Sequence, residues 1–367
     1  MAESNTPSAQ DERAPSTDMP ARLAFVFPGQ GSQVVGMGAD VYAASPAARA
    51  VFDAADQALG FSLSRLCFEG PEDTLRETVN TQPALVATSL ALLAALQEAL
   101  QETAGSSALA VDGDPALSQP LAPDFVAGHS IGEYAALAVA GVLGLAETLR
   151  LARERGWLMH AEGQAIPSGM AAVLGMDAAA LEPICAEATT QTQAKLAVPP
   201  DAPAHPGMGR VVVANDNAPG QVVISGERRA LDLAMEMARS RGAKRVVPLA
   251  VSGAFHSPVM APASQGMAQA LEGVSLRDAA IPIISNITAT PIIGGEALRE
   301  ELAQQIVSPV QWTRTAQYLA GQGVTTFVEI GAGQVLTGLL KRIVKGATTI
   351  SVGTLAEVTS AAQTLHT

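Results

Sequence analysis

Cysteine is nearly absent from this 367-residue chain, which has two, Cys67 and Cys185. They lie far apart, in no C-x-x-C or Cys/His spacing, which excludes a disulfide framework and a thiolate zinc site. Charge is also scarce: 16% of residues are Asp, Glu, Lys or Arg, against 48% apolar. That excludes a chain too polar to collapse. Positive charge is the scarcer kind, and 22 Lys and Arg against 35 Asp and Glu leave a net charge of −13. Phosphate neutralisation needs clustered cations, so this balance argues against nucleic acid and against an anionic membrane surface as partners. Long hydrophobic runs are missing too. The stretches Tyr134–Ala146 and Leu90–Leu96 are too short to cross a bilayer. The first twenty residues, MAESNTPSAQDERAPSTDMP, lack the basic and apolar regions of a signal peptide. They read as a flexible tail (1–20) on a cytoplasmic protein. Aromatics make up only 4%, so the core is expected to be tight aliphatic packing of helices on sheet.

What is present is punctuated apolar sequence. ARLAFVF (21–27) reads as a strand buried on both faces, broken at once by PGQGSQ (28–33). Helices are expected at Pro46–Leu59, Glu72–Thr78 and Pro83–Leu100, the last with proline in its first turn. Residues 101–123 are rich in Gly, Ser, Pro and Asp and read as an insertion. The short strand Phe125–Ala127 then runs through GHSIG into a helix at Glu133–Ala140, with a second helix at Ala146–Glu162. From 168 to 250 the rhythm changes. Strands at Met170–Leu174, Val211–Asn215, Gln221–Ser225 and Arg245–Val251, with helices at Ala178–Thr189 and Arg228–Arg241, give the order βαββαβ of a ferredoxin-like unit. A Pro/Gly-rich insertion, 199–209, interrupts it. The expected organisation is an α/β body at 21–167 and 251–345, a ferredoxin-like subdomain at 168–250 and a C-terminal extension at 346–367. The returning body carries helices at Pro258–Leu271, Gly295–Ile306 and Trp312–Gly321, strands at Ile281–Ser285 and Thr325–Glu329, and a last helix from Val335 to Val344.

GHSIG (128–132) matches G-x-S-x-G between a strand and a helix. On such a turn Ser130 projects its hydroxyl from the sheet, beside the N–H groups of a helix N-terminus. A serine nucleophile needs a base. Of five histidines, His366 and His205 read as solvent-facing, His160 falls within a helix, and His129 adjoins the serine too closely to reach it. His256 follows a strand of the α/β chain, where sites form, and is the preferred base. No carboxylate stands out to orient it, and a backbone carbonyl is the alternative. Gln30 in PGQGSQ and the N–H of Ile131 are candidates for an oxyanion hole. PGQGSQ keeps neither G-x-G-x-x-G nor GK[ST], so dinucleotide and P-loop readings fail. Among Arg150, Arg153 and Arg155, a buried guanidinium would clamp a carboxylate.

Together these pieces resemble the malonyl-CoA:acyl carrier protein transacylase family of fatty acid and polyketide synthesis. The resemblance rests on FVFPGQGSQ (25–33), TQPAL (81–85), GHSIGEYAAL (128–137), RERG (153–156), NDNAPGQVVISG (215–226), GAFHSPVM (253–260), SPVQWT (308–313) and EIGAGQVLTGLLKRI (329–343). It implies an α/β-hydrolase-like body with a ferredoxin-like insert. It also implies transfer of malonyl from malonyl-CoA to the phosphopantetheine thiol of acyl carrier protein, with no cofactor and no metal. It assigns Ser130 as the acylated residue, His256 as base, Gln30 and Ile131 as oxyanion hole, and Arg155 as partner of the malonyl carboxylate. Gln305 matches the residue whose carbonyl orients the histidine, His129 a histidine beside the nucleophile, and Phe255 a bulky position of malonyl-selective members. A serine hydrolase on the same elbow, a trans-acting acyltransferase serving a polyketide synthase, and a silent binding protein are the competing readings.

Overall fold

The computed structural model describes residues 22–104, 121–196 and 205–366. The tail and most of the two expected insertions (105–120 and 197–204) lie outside the described residues. Among the described residues, ten strands form two sheets. The larger uses β1 (Arg22–Phe27), β2 (Phe125–Gly128), β7 (Ile283–Ile284), β8 (Pro291–Ile292), β9 (Val324–Ile330) and β10 (Thr348–Val352), in the order β10-β9-β1-β2-β7-β8. Its pairings are parallel except for β7 with β8. The smaller uses β3 (Ser168–Leu174), β4 (Val211–Ala218), β5 (Gln221–Glu227) and β6 (Arg245–Pro248), all antiparallel, in the order β4-β5-β3-β6. With the helices Ala178–Ala194 and Arg228–Ser240 packed on it, this is the expected ferredoxin-like unit.

β1 explains why the larger sheet is covered on both sides. Side chains alternate across a strand. Phe25 and Phe27 enter the core beneath the helices Pro46–Leu59, Thr78–Ala104 and Leu145–Ala165, while Ala24 and Val26 enter a second core against Trp312, Leu336 and Phe327. A strand with both faces buried reads as a continuous apolar run, as this one does.

Three expectations are corrected. The long helix starts at Thr78, not at Pro83, so the proline lies inside its second turn. There it removes one backbone hydrogen bond that the rest of a 27-residue helix tolerates. Lengthened in this way, Thr78–Thr103 is apolar enough to cross a membrane by composition, yet its apolar stretch is 89% buried within the protein, as a core helix is. The body also continues past 345. β10 pairs in parallel with β9, and the helix Leu355–Leu365 packs Val358, Ala361 and Ala362 into the core shared with the long helix. β10 is an edge strand with mostly half-buried residues, so its apolar signal is weak. Finally, His205 is not free in solvent: its Nε2 meets Glu162 Oε1 at 2.8 Å, with both side chains 14% exposed.

Arg155 and Gln82 meet because two long helices cross closely. A Cβ at Gly156 would lie 2.7 Å from the Thr78 carbonyl oxygen. The missing side chain lets the helix Leu145–Ala165 approach the first turn of Thr78–Ala104, which sets Arg155 beside Gln82.

Candidate active site

β2 ends at Gly128 and the helix Gly132–Val139 begins four residues later. Two glycines make so sharp a reversal possible through close contact. A Cβ on Gly128 would lie 2.0 Å from the carbonyl carbon of Gly132, and one on Gly132 would lie 2.2 Å from the Phe27 oxygen. Neither glycine carries the strained dihedral. Ser130 itself does, at φ 54°, a left-handed conformation that costs a non-glycine residue roughly 1–2 kcal/mol.

His256, 126 positions away, brings Nε2 to 2.7 Å from Ser130 Oγ. Its Nδ1 lies 2.9 Å from the Gln305 carbonyl oxygen and 3.1 Å from that of Ser308. Both neighbours are acceptors, so the proton resides on Nδ1 and Nε2 faces the serine as an acceptor. Backbone carbonyls thus take the place of an orienting carboxylate. Burial, reinforced by the Arg155 charge, pushes the imidazole down from 6.5 to about 3. A group so depressed stays neutral, and so able to accept a proton, down to that region. The acid limb of kcat/KM, which reports the free enzyme, is therefore expected well below pH 6.5. A limb at 6.5 or above would contradict this assignment of the base.

Arg155 is completely buried, whereas Arg150 and Arg153 of the same helix turn outward to the Ala58 carbonyl and to the Phe61 ring and Asn80. Its Nη1 donates to Gln82 Oε1 at 2.8 Å, and its Nη2 to Gln305 Oε1 at 2.9 Å and to Ser130 Oγ at 3.1 Å. Its Nε has no partner among the described residues. These acceptors are neutral. The nearby carboxyl, Glu133, is raised well above the usual range by burial and then by Glu301, which disfavours its charged form. A buried cation therefore stands beside the serine without a committed counter-ion, a costly arrangement unless something anionic enters.

A cavity of about 460 Å³ opens over these groups between the larger sheet and the smaller one. Gln30, Ile131 and Phe255 line it from the body, and Met170, Asn217 and Val223 from the ferredoxin-like sheet. Gln30 Nε2 makes one long contact, 3.4 Å, to Thr78 Oγ1, and the Ile131 N–H has no acceptor among the described residues. His129 points away from Ser130 and across the gap, its Nε2 2.8 Å from Asn217 Oδ1 on β4. Burial lowers its pKa, which favours the neutral ring. All eight residues that the resemblance assigns to the site therefore surround one cavity or touch a group that does. Gln82, Glu133, Asn217 and Asn286 belong here as well and were not singled out. All but Asn286 lie inside the motifs TQPAL, GHSIGEYAAL and NDNAPGQVVISG, so a polar residue within a motif was their only signal.

A family profile described as acyl transferase domain matches residues 24–365. A malonyl CoA-acyl carrier protein transacylase of Bacillus subtilis (strain 168) is 40% identical over 349 residues, covering 94% of this chain and 98% of that protein. The chain belongs to the malonyl CoA-acyl carrier protein transacylase family. Solved structures agree over the same span. The acyl-carrier-protein S-malonyltransferase of Bartonella henselae superposes with a TM-score of 0.81 at 39% identity, over 94% of this chain and all of that one. A malonyl-transacylase solved in complex with its type II PKS acyl-carrier protein gives 0.80 at 36% identity, over 94% of this chain and all of that one. The membership accounts for the α/β body carrying a ferredoxin-like sheet, and it extends through β10 and the helix Leu355–Leu365.

Proposed function

We propose that the chain transfers malonyl from malonyl-CoA to the phosphopantetheine thiol of acyl carrier protein, through a malonyl ester on Ser130. The observation that carries this reading is the buried guanidinium of Arg155, 3.1 Å from a serine hydroxyl that is itself 2.7 Å from a histidine. A nucleophile and base alone would serve many acyl groups. A buried cation without a counter-ion, beside the nucleophile, calls for an acyl group that ends in a carboxylate.

In the first half-reaction His256 Nε2 takes the proton of Ser130 Oγ as Oγ bonds to the thioester carbonyl carbon. The carbonyl oxygen becomes an oxyanion, which receives hydrogen bonds from Gln30 Nε2 and the Ile131 N–H. The carbon–sulfur bond then breaks, and the departing sulfur takes the proton from His256, leaving as the coenzyme A thiol. The second half-reaction reverses these steps with the carrier's thiol as nucleophile. Gln305 does two things: its carbonyl holds the His256 Nδ1 proton, and its side-chain oxygen steadies Arg155. Phe255 narrows the cavity where an α-methyl group would project, favouring malonyl over branched acyl groups. His129 ties the elbow to Asn217. Nucleophile, base and oxyanion donors are all supplied by the chain, so this route calls on no metal or redox cofactor.

The same reading divides the chain into a catalytic body and an insert at 168–250 that roofs the cavity, and places the protein in the cytoplasm, where malonyl-CoA and acyl carrier protein would both be met. Intact-mass measurement tests it directly. Mixed with malonyl-CoA, the protein is expected to gain one malonyl group, and holo acyl carrier protein is expected to discharge it onto its own thiol. Release of free malonate faster than transfer would favour a hydrolase and overturn the proposal.

A further inference from the structure

The elbow poses a problem that its own residues do not solve. β2 pairs with β7 through Val126 opposite Ile283 and Ala127 opposite Ile284. Past that point β2 turns into the elbow, and the Gly128 carbonyl and the Ser130 N–H would be left without a strand partner. Both find the same side chain. Asn286 Nδ2 donates to the Gly128 oxygen at 2.8 Å, and Asn286 Oδ1 accepts from the Ser130 N–H at 2.8 Å. A carboxamide offers one donor and one acceptor in a plane, as a peptide unit does. Asn286 comes two residues after β7, where the register brings it alongside the elbow, and it is 3% exposed.

We propose that Asn286 is a positioning residue of the acyl transfer: its carboxamide stands in for a further peptide of β7 and holds the Ser130 backbone in the left-handed conformation from which Oγ reaches His256. The proposal rests on the transfer reading above and goes beyond it.

The connections of Asn286 extend to the other half of the site. Its own carbonyl accepts from the Gln311 N–H at 2.8 Å, and its own N–H donates to Glu133 Oε1 at 3.3 Å. Glu133 Oε2 accepts from the side-chain amide of Gln305, which also donates to the Ser130 carbonyl at 3.2 Å. The peptides on either side of Ser130 are thus fixed by Asn286 before it and Gln305 after it. Residues 305–311 that these bonds reach also carry the two carbonyls that orient His256. Nucleophile and base are referred to one frame, and Asn286 is where that frame meets the strained residue.

Single-turnover malonylation, followed by intact mass on wild type, Asn286→Ala and Asn286→Asp, tests this. Asn286→Ala removes both hydrogen bonds and is expected to slow acylation about 10²-fold, the scale of a displacement of roughly 1 Å between reacting groups. KM for malonyl-CoA should change little, and the final yield should remain one malonyl per chain. Asn286→Asp keeps the acceptor for the Ser130 N–H and loses the donor to Gly128, so its rate should fall between the other two. If the alanine variant fails to fold, the aspartate variant alone carries the comparison. A wild-type rate in either folded variant overturns the proposal. So does a lower final yield at an unchanged rate, which would mean that Asn286 only helps the chain fold. Wild-type protein that forms no adduct overturns the transfer reading instead, and the proposal with it.

Discussion

Ser130→Ala is expected to abolish the malonyl adduct and to lower transfer to acyl carrier protein by roughly 10⁶-fold, the scale seen when a nucleophile that works as a unit with its base is removed. The reasoning is geometric. Ser130 Oγ is the hydroxyl on which His256 Nε2 and Arg155 Nη2 both converge, at 2.7 and 3.1 Å. The variant keeps the cavity, the oxyanion donors and the guanidinium, so malonyl-CoA should still bind. Removing the hydroxyl leaves the backbone bonds of residue 130 to Asn286 and Gln305 in place, and the fold should survive with little change in Tm. Intact mass and a transfer assay on the same sample decide the matter. An adduct of unchanged yield on Ser130→Ala would move the acylation to another residue and remove the basis of the mechanism.

Arg155→Ala is expected to act on the choice of acyl group more than on the chemistry. Breaking a buried ion pair by deleting one partner costs about 3–5 kcal/mol, and each 1.36 kcal/mol is tenfold in rate. The ratio of kcat/KM for malonyl-CoA to that for acetyl-CoA should therefore fall about 10²–10⁴-fold. Acetyl, with no carboxylate to lose, should suffer much less. The free enzyme holds the cation against Gln82, Gln305 and Ser130, all neutral acceptors, and the malonyl carboxylate is expected to supply the missing charge. Its arrival should also relieve part of the pressure that Arg155 places on His256, so that the base becomes stronger once the correct acyl group is bound. Competition between the two thioesters measures the ratio. An unchanged ratio would show that the carboxylate is recognised elsewhere.

How much of this was readable in advance depended on how local the signal was. The sequence by itself determined the buried strand β1, the helices Pro46–Leu59 and Trp312–Gly321 to the residue, the order of elements in the ferredoxin-like unit, and the elbow that presents Ser130. Each of these is written in apolar period or turn chemistry over a few neighbouring positions; the places of His256 and Gln30 just after strands made them candidates, and the long motifs added Arg155 by resemblance. The tertiary structure alone decided the rest. Arg155 faces inward while Arg150 and Arg153 face out because the bare backbone of Gly156 lets its helix press against Thr78, a contact between segments 78 positions apart. Backbone carbonyls orient His256 because residues 305–308 return beside it. β10 joins the sheet although its apolar pattern is weak, because β9 offers an open edge. Asn286 reaches the elbow, 156 positions from Ser130, through the register of β2 on β7. Polar partnership across such separations leaves no periodic trace in a chain, since any asparagine in any loop has the same composition. Only the packing of apolar surfaces fixes which one arrives beside the serine.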